Sequence, residues 1–261
     1  MQPFALVTPA TRGLSLAVTR HLLRTTDLPV YATYRSGTSD EIRQTILSNI
    51  SQGDVDPKRL QLLPLDLTSE DSIASAAEQL RKLLANRQQT KAYLHTAFFT
   101  GGVLYPERQP ADFKVEHLQH TFQINTLSHL LLIKHFACFL PPRNSDLLNP
   151  AKWVHLSARV GSISDNRLGG WYSYRASKAA LNQIVKTFDL HLQSRRIPAI
   201  AVGMHPGTVK TDFSKDFWSG VKEGQLFEPE FAAEKVVNVA NGLTQEQRGR
   251  IWDWKGEEVA P

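Results

Sequence analysis

Cysteine is almost absent. The chain's 261 residues include one, Cys138, set in the apolar stretch Leu130–Leu140. No disulfide can form within the chain, so a disulfide-stapled fold is excluded and a reducing compartment is expected. Long hydrophobic runs are also missing: Leu130–Ile133 is soon broken by Lys134 and His135, and the opening MQPFALVTPATRG reaches Pro9 and Arg12 before an apolar signal region could build. The expectation is a soluble, cytosolic protein with no membrane span. Charge of one sign is not concentrated. Thirty Lys and Arg against 25 Asp and Glu give +5, but they are dispersed. No nucleic-acid stripe results, and the mild basicity suits an anionic small ligand. His95, His117, His120, His129 and His135 lack ligand-like spacing with carboxylates or thiols, so structural or surface roles and no metal are expected. Repeats, low-complexity tracts and linkers are absent as well.

What remains is 41% hydrophobic and 21% charged, enough for one sizeable core. Short apolar runs alternate with amphipathic segments, the pattern of βαβ units on a parallel sheet. Strands are expected at Phe4–Val7, Val30–Thr33, Leu60–Leu63, Ala92–Phe99, Trp153–Leu156, Ile197–Gly203 and Ile251–Trp252. Helices are expected at Gly13–Arg24, Asp40–Ile50, Ser69–Ala85, Phe113–Leu140, Trp171–Ser194 and Pro229–Asn241. The fold class is α/β, a Rossmann-type doubly wound sheet of about seven strands, in one domain over residues 1–261.

In such a sheet the first strand-to-helix turn faces the ligand. Here it is TPATRGLS, Thr8–Ser15. Only Gly13 survives of three fingerprint glycines, and a plain turn capped by Thr11 fits the same residues. At the end of the second strand, where an NAD site would carry an acid, stands Arg35. With Arg12 it could take a 2′-phosphate, which points to NADP(H); two solvated surface arginines are the alternative. After the third strand, Asp66 and Leu67 could meet an adenine, or Thr68 with Asp71 could simply cap the next helix.

Tyr174 and Lys178 lie four apart on an expected helix and share a face. An ammonium there would favour the ionised phenol, making Tyr174 a usable acid/base; a tyrosine packed on a lysine stem is the alternative. The aromatics Phe213, Phe217, Trp218 and Phe227 cluster after HPGTVKT and could wall a hydrophobic substrate, in a lid segment around 212–228.

The turn at Thr8–Ser15, Asn125 in FQINTLSHLLL, LSARVGS, YRASKAAL and HPGTVKT stand in the order of the short-chain dehydrogenase/reductase family, which the whole chain resembles. It looks most like the branch of C-factor-like proteins and carbonyl reductases. The resemblance implies that Tyr174 is the general acid/base, that Lys178 lowers its pKa and holds the nicotinamide ribose, and that Asn125 holds a relay water. It further implies that Thr8, Arg12, Gly13 and Leu14 form the phosphate turn. In HPGTVKT the resemblance implies that Pro206 and Gly207 shape a turn, that Thr208 and Val209 meet the carboxamide, and that Thr211 reaches the diphosphate. Gly101 and Gly102 fall on the last two places of the family's Asn-Asn-Ala-Gly, whose amides are replaced by Phe99 and Thr100.

The family's substrate-polarising serine aligns with Ala158. Ser157 could replace it if the strand end bends, and Ser162 is a second candidate. Pro9 removes a backbone N–H from the phosphate turn. The function expected is hydride transfer between NADP(H) and a small hydrophobic carbonyl or secondary alcohol. A non-catalytic NADP-binding regulator, and non-redox acid/base chemistry such as isomerisation or cyclisation, are the rivals. A homo-oligomer is compatible with the sequence.

Overall fold

The computed structural model describes residues 1–50, 53–86 and 92–261. The apolar runs form strands β1 (Gln2–Thr8), β2 (Val30–Tyr34), β3 (Leu60–Pro64), β4 (Ala92–Phe99), β5 (Ala151–Leu156), β6 (Ala199–His205), β7 (Thr208–Val209), β8 (Leu226–Phe227) and β9 (Ile251–Asp253). Seven of them pair in parallel in the order β3-β2-β1-β4-β5-β6-β9, and β7 pairs with β8 apart from that sheet. Helices cover both faces, which is why these strands read as continuous apolar runs rather than alternating ones. They are α1 (Gly13–Thr25), α2 (Ser39–Leu47), α3 (Glu70–Asn86), α4 (Val115–Phe122), α5 (Ser128–Phe136), α6 (Tyr172–Ser194) and α7 (Pro229–Gly242). On one face Leu14, Val18 and Leu22 of α1 and Val236 of α7 pack on Val7, Val30 and Val202. On the other, Ile73 of α3, Phe136 of α5 and Phe188 of α6 pack on Leu6, Leu94 and Trp153. Strand order reverses between β1 and β4, so the crevice beyond their carboxyl ends is the ligand position of a doubly wound sheet.

Several expected bounds change, α2 ending at Leu47 instead of Ile50 and β5 beginning at Ala151 instead of Trp153 among them. The single helix over 113–140 is α4 and α5, joined by a wide π turn at Gln123–Leu127 that contains Asn125. The sixth strand begins at Ala199 instead of Ile197, because the Ile197 N–H still closes the turn after α6 on the Leu192 carbonyl at 3.0 Å.

Helix α6 carries both Tyr174 and Lys178, and two buried carboxylates hold it. At its start Trp171 takes a left-handed conformation (φ 50, ψ 46), and its N–H donates to the Glu107 carbonyl at 2.6 Å. The Glu107 carboxylate accepts the Ser173 N–H at 3.3 Å and the Ser173 hydroxyl, so a residue 66 positions away caps the helix. Further along, Asp189 accepts from Arg248 Nε at 2.8 Å and from the Ala201 N–H at 2.9 Å, tying α6 to β6.

Removing the Asp189 carboxylate leaves the buried Ala201 N–H unpaired and Arg248 with neutral acceptors alone. Asp189→Ala is therefore expected to lower unfolding stability by about 1–3 kcal/mol. Urea unfolding measures it, and a loss below about 1 kcal/mol would show that the clamp contributes little.

Candidate active site

The first turn leaves β1 at Thr8, whose hydroxyl is buried with no partner among the described residues. The Ala10 N–H donates to the Thr33 carbonyl at 2.9 Å. Arg12, in extended conformation, is the N-cap of α1; it offers no side-chain cap, and no acid stands in the first turn. The alternative of a plain turn capped by Thr11 is not formed, since Arg12 is the N-cap, and among the described residues no side chain caps the helix start with its positive dipole end. Gly13 has φ +53, and a Cβ on it would lie 3.0 Å from Thr211 Cγ2. Glycine is needed there twice, for its conformation and for the close approach of Thr211. Leu14 turns into the core beneath.

Arg35 follows β2 in an exposed position. Among the described residues neither it nor Arg12 has an ion-pair partner. Asp66 lies near Arg35. Its carboxyl is held below the usual range, first by the Thr68 N–H at 2.9 Å and in smaller part by the Arg35 charge. The cap of α3 is Ser69, which accepts from the Ser72 N–H at 3.2 Å, so the alternative cap by Thr68 with Asp71 is not formed. Leu67 reaches the end of β4, where a Cβ on Gly101 would come within 2.5 Å of it. A Cβ on Gly102 would lie 3.7 Å from both Asn125 Oδ1 and Lys178 Nζ, so the glycine pair joins the two halves of the site.

Asn125 spends both Nδ2 hydrogens, on the Val103 carbonyl at 2.9 Å and on Ser177 Oγ at 3.0 Å, while Oδ1 accepts the Val103 N–H at 2.8 Å. One Oδ1 lone pair keeps no donor among the described residues. Lys178 donates to the Leu156 carbonyl at 2.8 Å and lies 5.8 Å from the Tyr174 ring centre. Both side chains are buried. Burial brings the Lys178 ammonium down to about 7 and pushes the Tyr174 phenol up. The direction for Tyr174 is opposite to that expected from its neighbour, because burial penalises the charged phenolate.

Ser157 continues the path of β5, with its N–H on the Met204 carbonyl at 2.8 Å. Its hydroxyl donates to Asn182 Oδ1 of α6 at 2.6 Å. Ala158 stays extended (φ −150, ψ 147), so the bend that would turn Ser157 away from α6 is not formed. Ser162 lies near the Pro261 carbonyl at 3.2 Å and accepts the Asp165 N–H at 3.1 Å.

After β6 come Pro206 and Gly207 (φ +75), whose Cβ would strike Phe227 at 2.5 Å. Thr208 and Val209 form β7. Of the four aromatics beyond, Phe213 approaches Tyr174 with ring centres 6.0 Å apart, and Phe217 packs on Trp171 at 4.8 Å. Phe227 belongs to the core beside Trp254, and Trp218 donates to Ser214 Oγ at 2.9 Å. Sequence reasoning passed over Glu107, Trp171 and Ser173, because the bonds from Ser173 to Glu107 join positions 66 apart and no local spacing reports them. Among the described residues no His, Cys, Asp and Glu group could hold a metal, and no helix is long and apolar enough to cross a membrane.

Residues 3–222 match the family described as short chain dehydrogenase. The chain is 32% identical over 188 residues, 72% of its length and 74% of the relative's, to 1-hydroxy-2-glutathionyl-2-methyl-3-butene dehydrogenase of Rhodococcus sp. (strain AD45). It is 32% identical over 148 residues, 57% of this chain and 81% of the other, to C-signal of Myxococcus xanthus. The NADPH-bound carbonyl reductase from chicken fatty liver superposes over 100% of both chains with a TM-score of 0.81 at 24% identity, a likeness of fold. With the motifs in family order on this sheet, the chain belongs to the short-chain dehydrogenase/reductase family of oxidoreductases.

Proposed function

We propose that the chain is an NADP(H)-dependent reductase of small hydrophobic carbonyl compounds, acting in reverse on secondary alcohols, with Tyr174 as general acid/base. The observation that carries this reading is the buried Tyr174–Lys178 pair beside the Gly101–Gly102 strand end. The cleft fits a nicotinamide dinucleotide on its own geometry: an uncapped α1 start, the close Gly13–Thr211 approach and the unpartnered Thr8 hydroxyl. When bound, the cofactor supplies the hydride that the carbonyl carbon receives.

The residues divide the remaining work. Thr8, Gly13 and Leu14 offer the turn to the diphosphate, with Thr211 opposite. Arg12 and Arg35 take the 2′-phosphate, and Asp66 and Leu67 border the adenine. Pro206 and Gly207 set the path of Thr208 and Val209 along the carboxamide, while Gly101 and Gly102 allow close approach. The Tyr174 phenol, protonated at neutral pH already at its ordinary value of about 10, gives its proton to the carbonyl oxygen. Lys178 holds the ribose, and the open Oδ1 lone pair of Asn125 holds a water. Phe213 and Phe217 with Trp171 give the substrate an apolar wall. A second reading, a non-catalytic NADP-binding regulator, is favoured by Ala158 and by Ser157 being committed to Asn182. NADPH binding without turnover of any carbonyl in a panel would establish it.

Tyr174→Phe is expected to lower carbonyl-dependent NADPH oxidation by roughly 10²–10⁴-fold with NADPH affinity little changed; a variant keeping more than about a tenth of the rate would remove the proton-transfer role. Arg35→Ala should weaken NADPH binding roughly ten- to a hundredfold and leave NADH binding unaltered, as fluorescence titration reads. Equal losses for both cofactors would mean that Arg35 does not meet a 2′-phosphate. Ala158→Ser should raise kcat by about tenfold or more by adding an oxyanion donor, whereas Ser157→Ala should change it little. A large loss in Ser157→Ala would return the donor role to Ser157.

A further inference from the structure

Three buried side chains behind the site are joined in a manner that the proposed chemistry does not use. Trp153 and His155 stand two apart on β5 and share a face of the sheet, and His129 of α5 packs against His155 with ring centres 4.8 Å apart. All three are wholly buried. Trp153 Nε1 lies 2.9 Å from His155 Nε2, His155 Nδ1 lies 2.7 Å from His129 Nδ1, and His129 Nε2 lies 3.3 Å from the Gly101 carbonyl.

The direction of these bonds follows from one fact. An indole N–H can only donate, so His155 Nε2 accepts and the proton of the neutral ring sits on Nδ1. That proton goes to His129 Nδ1, which leaves the His129 proton on Nε2, facing Gly101. Every donor then has one acceptor. Protonating either imidazole would set two N–H groups against each other, at the indole or between the rings. Burial and the nearby Lys178 charge act in the same sense, holding both imidazoles below their usual range, with the Gly101 carbonyl the one opposing influence on His129.

The chain of bonds ends at the peptide on which the site turns. A Cβ on Gly101 would lie 2.5 Å from Leu67 and 3.7 Å from Pro9, and one on Gly102 would lie 3.7 Å from both Asn125 Oδ1 and Lys178 Nζ. This strand end lacks the two amides of the family's motif, having Phe99 and Thr100 in their places. Phe99 faces His155 across the β4–β5 ladder, with ring centres 5.3 Å apart.

We propose that Trp153, His155 and His129 form a one-way hydrogen-bond chain that fixes the Gly101–Gly102 peptide, making His129 and His155 positioning residues for the dinucleotide cleft and for Lys178. The bonding pattern stands on geometry alone; the consequence for the cleft rests on the proposed cofactor site.

Nitrogen-15 NMR of the full chain labelled at histidine, from pH 8 to pH 5, reads the first part. The expected result is His155 as the Nδ1–H tautomer and His129 as the Nε2–H tautomer, neither titrating. Either ring in the other tautomer, or titrating near its ordinary value of about 6.5, would overturn the chain of bonds. NADPH titration reads the second part. His129→Phe fills the space without a donor and is expected to weaken binding about tenfold, the loss of one hydrogen bond's worth of positioning. His129→Gln, which can still donate to Gly101, should recover most of that affinity. Wild-type affinity in a folded His129→Phe chain would refute positioning even if its melting temperature fell. Should His129→Phe fail to fold, a folded His129→Gln chain that binds NADPH about tenfold more weakly than wild type, although it keeps the donor, would refute it equally. A wild-type chain that binds no NADPH would overturn the cofactor reading and the positioning role together, while the tautomers still decide the bonding pattern.

Discussion

Everything at the site depends on where α6 is held. A helix of 23 residues packed on a parallel sheet could slide or tilt on apolar contacts alone, because the hydrophobic effect is not directional. Two buried carboxylates remove that freedom. The Glu107 carboxylate takes the Ser173 N–H and hydroxyl at one end, and Asp189 anchors the other half to β6 and Arg248. Between them lie Tyr174 and Lys178, and the turn at Gly161 presses so close that a Cβ there would come within 2.8 Å of the Lys178 backbone. The pair is thus located by hydrogen bonds that have both a length and a direction.

Burial then decides the protonation of that pair. An exposed tyrosine beside an exposed lysine would feel mainly the neighbouring charge. Withdrawn from water, each group favours its neutral form, and the two shifts move in opposite directions, phenol up and ammonium down. The Leu156 carbonyl gives the buried Lys178 its only fixed acceptor among the described residues. The missing polarising hydroxyl at Ala158 belongs to the same picture. Nearby serines exist, but alternation along an extended strand turns Ser157 into α6, where Asn182 Oδ1 accepts its hydrogen bond.

Much of this was legible in the sequence. All seven main strands were readable as short apolar runs, because a sheet covered on both faces demands them. The Tyr174–Lys178 spacing placed both on one face, since i and i+4 neighbour each other on any helix. Other features were not readable. The π turn around Asn125 replaces an expected continuous helix, and the two-residue strands β7 and β8 are too short to leave a periodic trace.

By itself, then, the sequence determined the elements, their parallel pairing class, the order of the motifs and the residue types available for chemistry. These depend on periodicity and local spacing, which a linear string carries in full. The tertiary structure alone decided which polar groups meet across long separations: Glu107 with Ser173, Asp189 with Arg248, His129 with His155, Gly13 with Thr211. It also decided the sign of the Tyr174 shift, because desolvation depends on how much of the folded chain surrounds a group, and no neighbour in sequence reports that.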